Sequence, residues 1–124
     1  MWLPLFGLLI GILLGLFSNF TVPDQYSSYL SIAVLAALDT LFGGIRAHLE
    51  NVFEEKVFVT GFFTNIILAA SLAFLGVHLG VDLYLAAIFA FGVRLFQNIA
   101  QIRRILLDRF VAMRREKKKA KSIE

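Results

Sequence analysis

Apolar residues fill four long stretches of this chain, and short polar breaks separate them. The stretches run from about Trp2 to Phe20, Tyr29 to Ile45, Val57 to Gly80 and Leu83 to Ile102. Crossing ~30 Å of hydrocarbon takes about 20 helical residues, fewer where the bilayer thins or flanking side chains reach outward. Each stretch therefore predicts a transmembrane helix. Runs this long lack the alternation of barrel strands, and a helix satisfies its backbone polar groups internally. No Lys or Arg precedes the first run, and Ser18-Asn19-Phe20 is a poor small-residue cleavage site. The first run is read as a retained span, not a cleaved signal.

The breaks are compact. Thr21 to Ser28 holds the turn formers Pro23, Asp24 and Ser27. Val81-Asp82 is a two-residue link in which Asp82 is placed to cap the fourth helix. Between the second and third runs, Leu49, Val52 and Phe53 continue the helical spacing from Ile45. The second helix is expected to extend as an amphipathic surface segment there. Gly43-Gly44 is expected to bend its end.

Charge placement sets an expected topology. Of twelve Lys and Arg, nine lie from Arg103 to Lys121, and the first and third breaks hold none. Arg46 and Lys56 lie in the second break. The positive-inside rule then places the second break and both termini in the cytoplasm. Beyond the fourth run, Ile102, Leu106, Phe110 and Met113 recur at helical spacing, predicting a basic amphipathic extension. From Arg114 that stripe stops, and a frayed or disordered end is expected. Arg103, Arg104, Arg109, Arg114, Arg115, Lys117, Lys118, Lys119 and Lys121 read as a basic tail facing an anionic cytoplasmic leaflet. Topology alone accounts for such a cluster, so nucleic acid is not an expected partner.

Composition agrees with a membrane protein. Hydrophobic residues make up 59% of the 124, well above a soluble domain of this length, and there are 13 Phe. There is no cysteine, which removes disulfide and thiol chemistry. The expected fold is an all-α membrane protein with four transmembrane helices and a cytoplasmic basic amphipathic C-terminal extension. Residues 1–108 form the membrane domain and 109–124 the basic tail.

Two charges interrupt the runs, Asp39 in the second and Arg94 in the fourth. A charge near the bilayer centre costs roughly 2.5–3.5 kcal/mol on insertion scales, so it persists with a partner or with access to water. The two helices run in the same direction, and both charges fall roughly 15 Å below the outer boundary at 1.5 Å per residue. An ion pair is expected, within a buried polar layer of Asp39, Thr40, Asn65, Arg94 and Asn98. Such a layer either fixes helix register or lines an ion or proton path. A path calls for more than one intramembrane carboxylate, and Asp39 is the single one in the four runs.

Gly7, Gly11 and Gly15 recur every fourth residue, a groove that lets another helix approach within the chain or from a second copy. Ala69, Ala70, Ala73 and Gly76, with Ala86, Ala90 and Gly92, offer further small contacts. The catalytic inventory is thin. His48 and His78 fall at opposite membrane surfaces, and no carboxylate cluster has metal-ligand spacing. No Ser/His/Asp set or phosphate loop is apparent. No catalytic, cofactor or metal site is expected, and an enzyme is not.

Three strings carry a resemblance. Leu35-Ala-Ala-Leu-Asp-Thr-Leu-Phe-Gly-Gly-Ile-Arg-Ala-His48, Gly76-Val-His-Leu-Gly-Val-Asp-Leu-Tyr-Leu-Ala-Ala87 and Phe91-Gly-Val-Arg-Leu-Phe-Gln-Asn-Ile-Ala100 resemble the bacterial small basic protein family. The likeness runs from Trp2 to about Asp108 and leaves the tail outside. It implies a small integral membrane protein of Gram-positive bacteria, encoded near cell-division and cell-wall genes. A role in envelope assembly follows by association. A shorter pattern, Asp39-x-x-x-Gly43-x-x-x-Ala47 before another apolar run, is similar to one class of phage holins, which self-assemble. The expected function is non-enzymatic, through assembly as a homo-oligomer or with a division or cell-wall membrane protein. The alternative is a small oligomeric channel, holin-like pore or transporter built around the Asp/Arg layer.

Overall fold

The computed structural model describes residues 2–123. Its helices are α1 (Trp2–Phe17), α2 (Ser27–Leu49), α3 (Glu55–Leu79) and α4 (Leu83–Ile123), with one 3-10 turn at Asp24–Tyr26. No strand occurs among the described residues. Three of the four helices are long and apolar enough to cross a membrane: α2 with its preceding 3-10 turn, α3 and α4. At 16 residues α1 is the short one, about 24 Å at 1.5 Å per residue. The expectation of four spans thus holds by length for three. Met1 and Glu124, the outer ends of the two expected segments, lie outside the described residues.

Helix ends follow from local chemistry. α2 closes where Asn51 takes a left-handed φ of 61°, so that its N–H reaches the His48 carbonyl and the Val52 N–H reaches Ala47. Short polar Asn tolerates that conformation. Val52 and Phe53 therefore sit in the turn and do not prolong α2 as an amphipathic surface helix. α3 closes at Gly80, φ 67°, with the Val81 N–H on the Gly76 carbonyl. The start of α4 is tied by main chain: the Leu85 N–H bonds the Asp82 carbonyl at 3.1 Å. The expected side-chain cap from Asp82 is absent among the hydrogen bonds of the described residues.

α4 continues unbroken for 41 residues, about 60 Å. The expected fraying from Arg114 is corrected: Arg, Glu, Lys and Ala are strong helix formers and carry the helix to Ile123 without an apolar stripe. The 108/109 boundary falls inside this helix and marks no break.

α2, α3 and α4 pack together. Ile32 and Ala36 from α2, Ala69 and Ala73 from α3, and Ala87 and Phe91 from α4 form the buried core. Alanines let the three backbones approach closely, which is how membrane helices gain packing energy when lipid is as apolar as they are. Of the small residues singled out above, Ala69, Ala73 and Gly76 enter this core, whereas Ala86 and Ala90 face outward. Gly44 is also buried, because an added Cβ would lie 2.7 Å from the Phe58 ring. The Gly43-Gly44 pair thus admits neighbours to an uninterrupted α2. α1 has no buried residue.

Gly76 approaches the α3–α4 link so closely that a Cβ would sit 2.7 Å from the Val81 carbonyl oxygen. Backbone cannot swing aside as a side chain can. Gly76→Ala should destabilise the bundle by about 1–3 kcal/mol, the usual cost of overpacking. Gly61, with open space around it, should tolerate alanine or gain up to ~1 kcal/mol of helix propensity. Thermal melts of the two variants in the same detergent make the comparison. Equal melting temperatures would contradict this account of the link.

Candidate functional site: an intramembrane polar chain

Asp39 faces the interior of the bundle from the middle of α2 and is 0% exposed. Asn98 reaches it from α4, its Nδ2 donating to Oδ1 at 3.3 Å. Arg94, one turn earlier on α4, brings Nη2 to 3.4 Å from Oδ2. That separation is ion-pair range, but Oδ2 accepts no hydrogen bond. The carboxylate is therefore held by one long hydrogen bond and one loose charge contact. Arg46, two turns beyond Asp39 on α2, donates from Nη1 to Asn98 Oδ1 at 3.4 Å. It also pairs with Glu50 at 3.2 Å. A polar chain thus runs along the α2–α4 seam in the order Arg94, Asp39, Asn98, Arg46. Gly43 leaves room for it, since a Cβ there would meet Asn98 Nδ2 at 3.4 Å.

Thr40 and Asn65 belong to a separate pair. Asn65 on α3 donates to Thr40 Oγ1 at 3.0 Å, and the Thr40 hydroxyl donates to the Ala36 carbonyl at 3.0 Å. Thr40 and Asn65 tie α2 to α3, whereas the acidic chain ties α2 to α4. The expected single layer is corrected to these two networks.

Arg94 is corrected as well. It pairs with Asp39 as the depth argument implied, but its side chain is 56% exposed. α4 presents Ala87, Phe91 and Asn98 to the core. At 100° per residue Arg94 falls on the border of that face, with more than half of its side chain outside and Nη2 turned in toward Asp39. Ala86, Ala90 and Gln97 lie on the same outer flank and are exposed. Arg46 was missed as a site residue, because its place after an apolar run reads as a boundary cation. The signal was its spacing: seven residues after Asp39 is two helical turns, so both share one face.

Gly7, Gly11 and Gly15 meet nothing within 4 Å. Their groove packs against no part of this chain, which removes the intrachain use. In the basic tail, Arg109 Nη2 donates to the Leu49 carbonyl at 2.6 Å. It thereby satisfies one of the free carbonyls at the end of α2. Arg114 lies over the Phe110 ring, 5.0 Å from its centroid. Arg103, Arg104, Arg109, Arg114, Arg115, Lys117, Lys118, Lys119 and Lys121 are all exposed. His48 lies edge-on to Phe53 and His78 against Phe74 and its carbonyl. No group of three His, Asp or Glu gathers among the described residues.

Residues 22–107, which contain the whole polar chain, match the family described as "Protein of unknown function (DUF1290)". The chain is 70% identical over 118 residues to the "Small basic protein" of Bacillus subtilis, covering 95% of this chain and 98% of that one. It is 48% identical over 102 residues to uncharacterised proteins of Mycobacterium bovis and Mycobacterium tuberculosis, covering 81% of this chain and 84% of each. No solved structure matches. The chain belongs to the small basic protein family.

The geometry sets unequal costs for breaking the seam. Arg94→Ala should cost more than an exposed ion pair, worth about 0–1 kcal/mol. It should cost less than the roughly 3–5 kcal/mol of a wholly buried one, because more than half of the Arg94 side chain lies outside. Asp39→Ala should also destabilise. The double variant should recover part of the combined loss, since no lone charge remains. Unfolding in lipid nanodiscs reads all three, and strictly additive losses would show that the two side chains do not act as partners.

Proposed function

We propose that the chain is a non-enzymatic, multi-pass membrane protein that acts by assembly, with copies of itself or with an envelope or division partner. Both termini and the α2–α3 turn face the cytoplasm, and α1 adds a short fourth span. The observation that carries the assembly reading is Arg94. Its side chain is more than half exposed mid-span at the edge of the outer flank of α4, beside exposed Ala86, Ala90 and Gln97. Lipid tails offer it no acceptor, whereas a second copy offers the Gln97 carbonyl one turn away along a parallel α4. Alanines let that helix approach, and intramembrane polar groups face protein or water, not tails. The open glycine groove of α1 supplies a second contact stripe.

The positive-inside arrangement supports this orientation. Arg103 and Arg104, at the end of the span, match an anionic cytoplasmic leaflet. In intact cells an impermeant thiol reagent should label Asp24→Cys and leave Lys118→Cys unlabelled. The opposite pattern would invert the topology.

Assembly is read by native mass measurement in mild detergent. The wild-type chain should appear as a multimer. Gln97→Phe with Ala90→Phe, both outside the core, should weaken association by ten-fold or more, about 1.4 kcal/mol. Gly11→Leu should weaken it while leaving insertion intact. A monomeric wild type, or a multimer unchanged in these variants, would remove these faces from any interface. Ion flux in liposomes that is lost on Arg94→Ala would replace assembly with conduction.

A further inference from the structure

The end of α4 carries an exposed feature that neither its expected lipid contact nor the seam uses. Leu106, Phe110 and Met113 form one stripe, and each is at least half exposed. The side chains beside it are cationic. At 100° per residue Arg103, Arg114 and Lys121 fall along one border, with Arg114 stacked over Phe110, and Lys117 stands one turn beyond Met113 on the stripe's own line. Along the other border Arg109 is bonded to the Leu49 carbonyl at the end of α2. That bond fixes the direction in which α4 leaves the bundle.

Distance decides what can cover the stripe. α4 is one continuous helix to Ile123. With the span ending near Ile102, Phe110 lies about 12 Å and Met113 about 16 Å further along the axis. The headgroup layer beyond the hydrocarbon is roughly 5–8 Å thick on each side. Phe110 and Met113 thus stand past the lipid surface on a helix that does not fold back onto it. A parallel second copy would bring Arg103, Arg114, Lys117 and Lys121 against the same cations, which like-charge repulsion disfavours.

We propose that this projecting segment is a docking surface for a partner protein's amphipathic helix, apolar on one face and bordered by Asp or Glu. Apolar anchors in a charged frame are how one helix selects another: the stripe supplies contact energy and the border charges supply register and discrimination. The proposal rests on the spanning arrangement above. It is independent of which side the tail faces and of whether the transmembrane faces self-assemble.

The test uses the full chain in nanodiscs, which leave both membrane faces accessible, so failure here does not bear on topology. The probes are two designed helical peptides with one leucine stripe, bordered by glutamate in one and lysine in the other. Fluorescence anisotropy in phosphatidylcholine discs should show the glutamate-bordered peptide binding at least about ten-fold tighter. Phe110→Gln with Met113→Gln keeps charge and helix propensity and should weaken that binding about ten-fold or more. Circular dichroism checks that the helix persists. Adding phosphatidylglycerol to the discs should leave binding in place. Equal binding of both peptides would overturn the proposal, as would binding indifferent to the glutamine variant. Binding lost in phosphatidylglycerol discs, with the Leu106–Met113 amides becoming protected from exchange, would assign the stripe to lipid instead.

Discussion

A carboxylate with no exposed surface, set in the middle of an apolar helix, constrains everything else in this molecule. Asp39 must find donors inside the bundle, and α2 alone offers none. α4 supplies Asn98 at 3.3 Å and Arg94 at 3.4 Å, which sets the register of the two parallel helices. A slide of one turn, about 5.4 Å, would put Arg94 and Asn98 in each other's place along the seam and leave Asp39 one of its two partners instead of both. Gly43 stands at that register, where an added Cβ would be in van der Waals contact with the Asn98 amide. So does Arg46, whose contact with Asn98 carries the polar chain toward the end of α2. The alanine core around Ile32 and Phe91 packs the other half of the bundle. Apolar packing supplies contact and the polar chain supplies register.

The same constraint shapes the outer surface. On α4 Asn98 is buried, while Arg94, four residues earlier and about 40° around the helix, keeps more than half of its side chain outside. Asn98 takes the interior and Arg94 the border. A mid-span cation is left at the outer edge beside small residues, a flank where close approach is available and a polar acceptor is needed. Arg109 acts at the far end as Asn98 does in the middle, fastening α4 to α2 through a helix carbonyl.

Much of this was legible in the sequence. Run lengths predicted the helices, and equal depth of two charges on parallel helices predicted the Asp39–Arg94 contact. Depth is linear in residue number and needs no knowledge of packing. Facing is not linear, and there the reading failed for Arg94, whose exposure depends on which side α4 turns to two neighbours. Thr40 and Asn65 were grouped with the acidic chain for the same reason: similar depth does not reveal which helix pair a residue joins. The end of α4 was misjudged because lack of an apolar stripe was taken as lack of structure. Its Lys, Arg, Glu and Ala carry helix propensity without one. The expected bend at Gly43-Gly44 confused two uses of glycine, flexibility and space.

The central claim is that Asp39 is the register pin between α2 and α4 within a bilayer. Solid-state NMR of isotope-labelled protein in lipid tests it most directly, through carbon–nitrogen correlations from the Asp39 carboxyl carbon. The structure predicts cross-peaks to the Asn98 side-chain amide and to the Arg94 guanidinium. An Asp39 carboxyl with neither correlation, in a bundle whose Ala36 and Phe91 contacts are intact, would contradict the account.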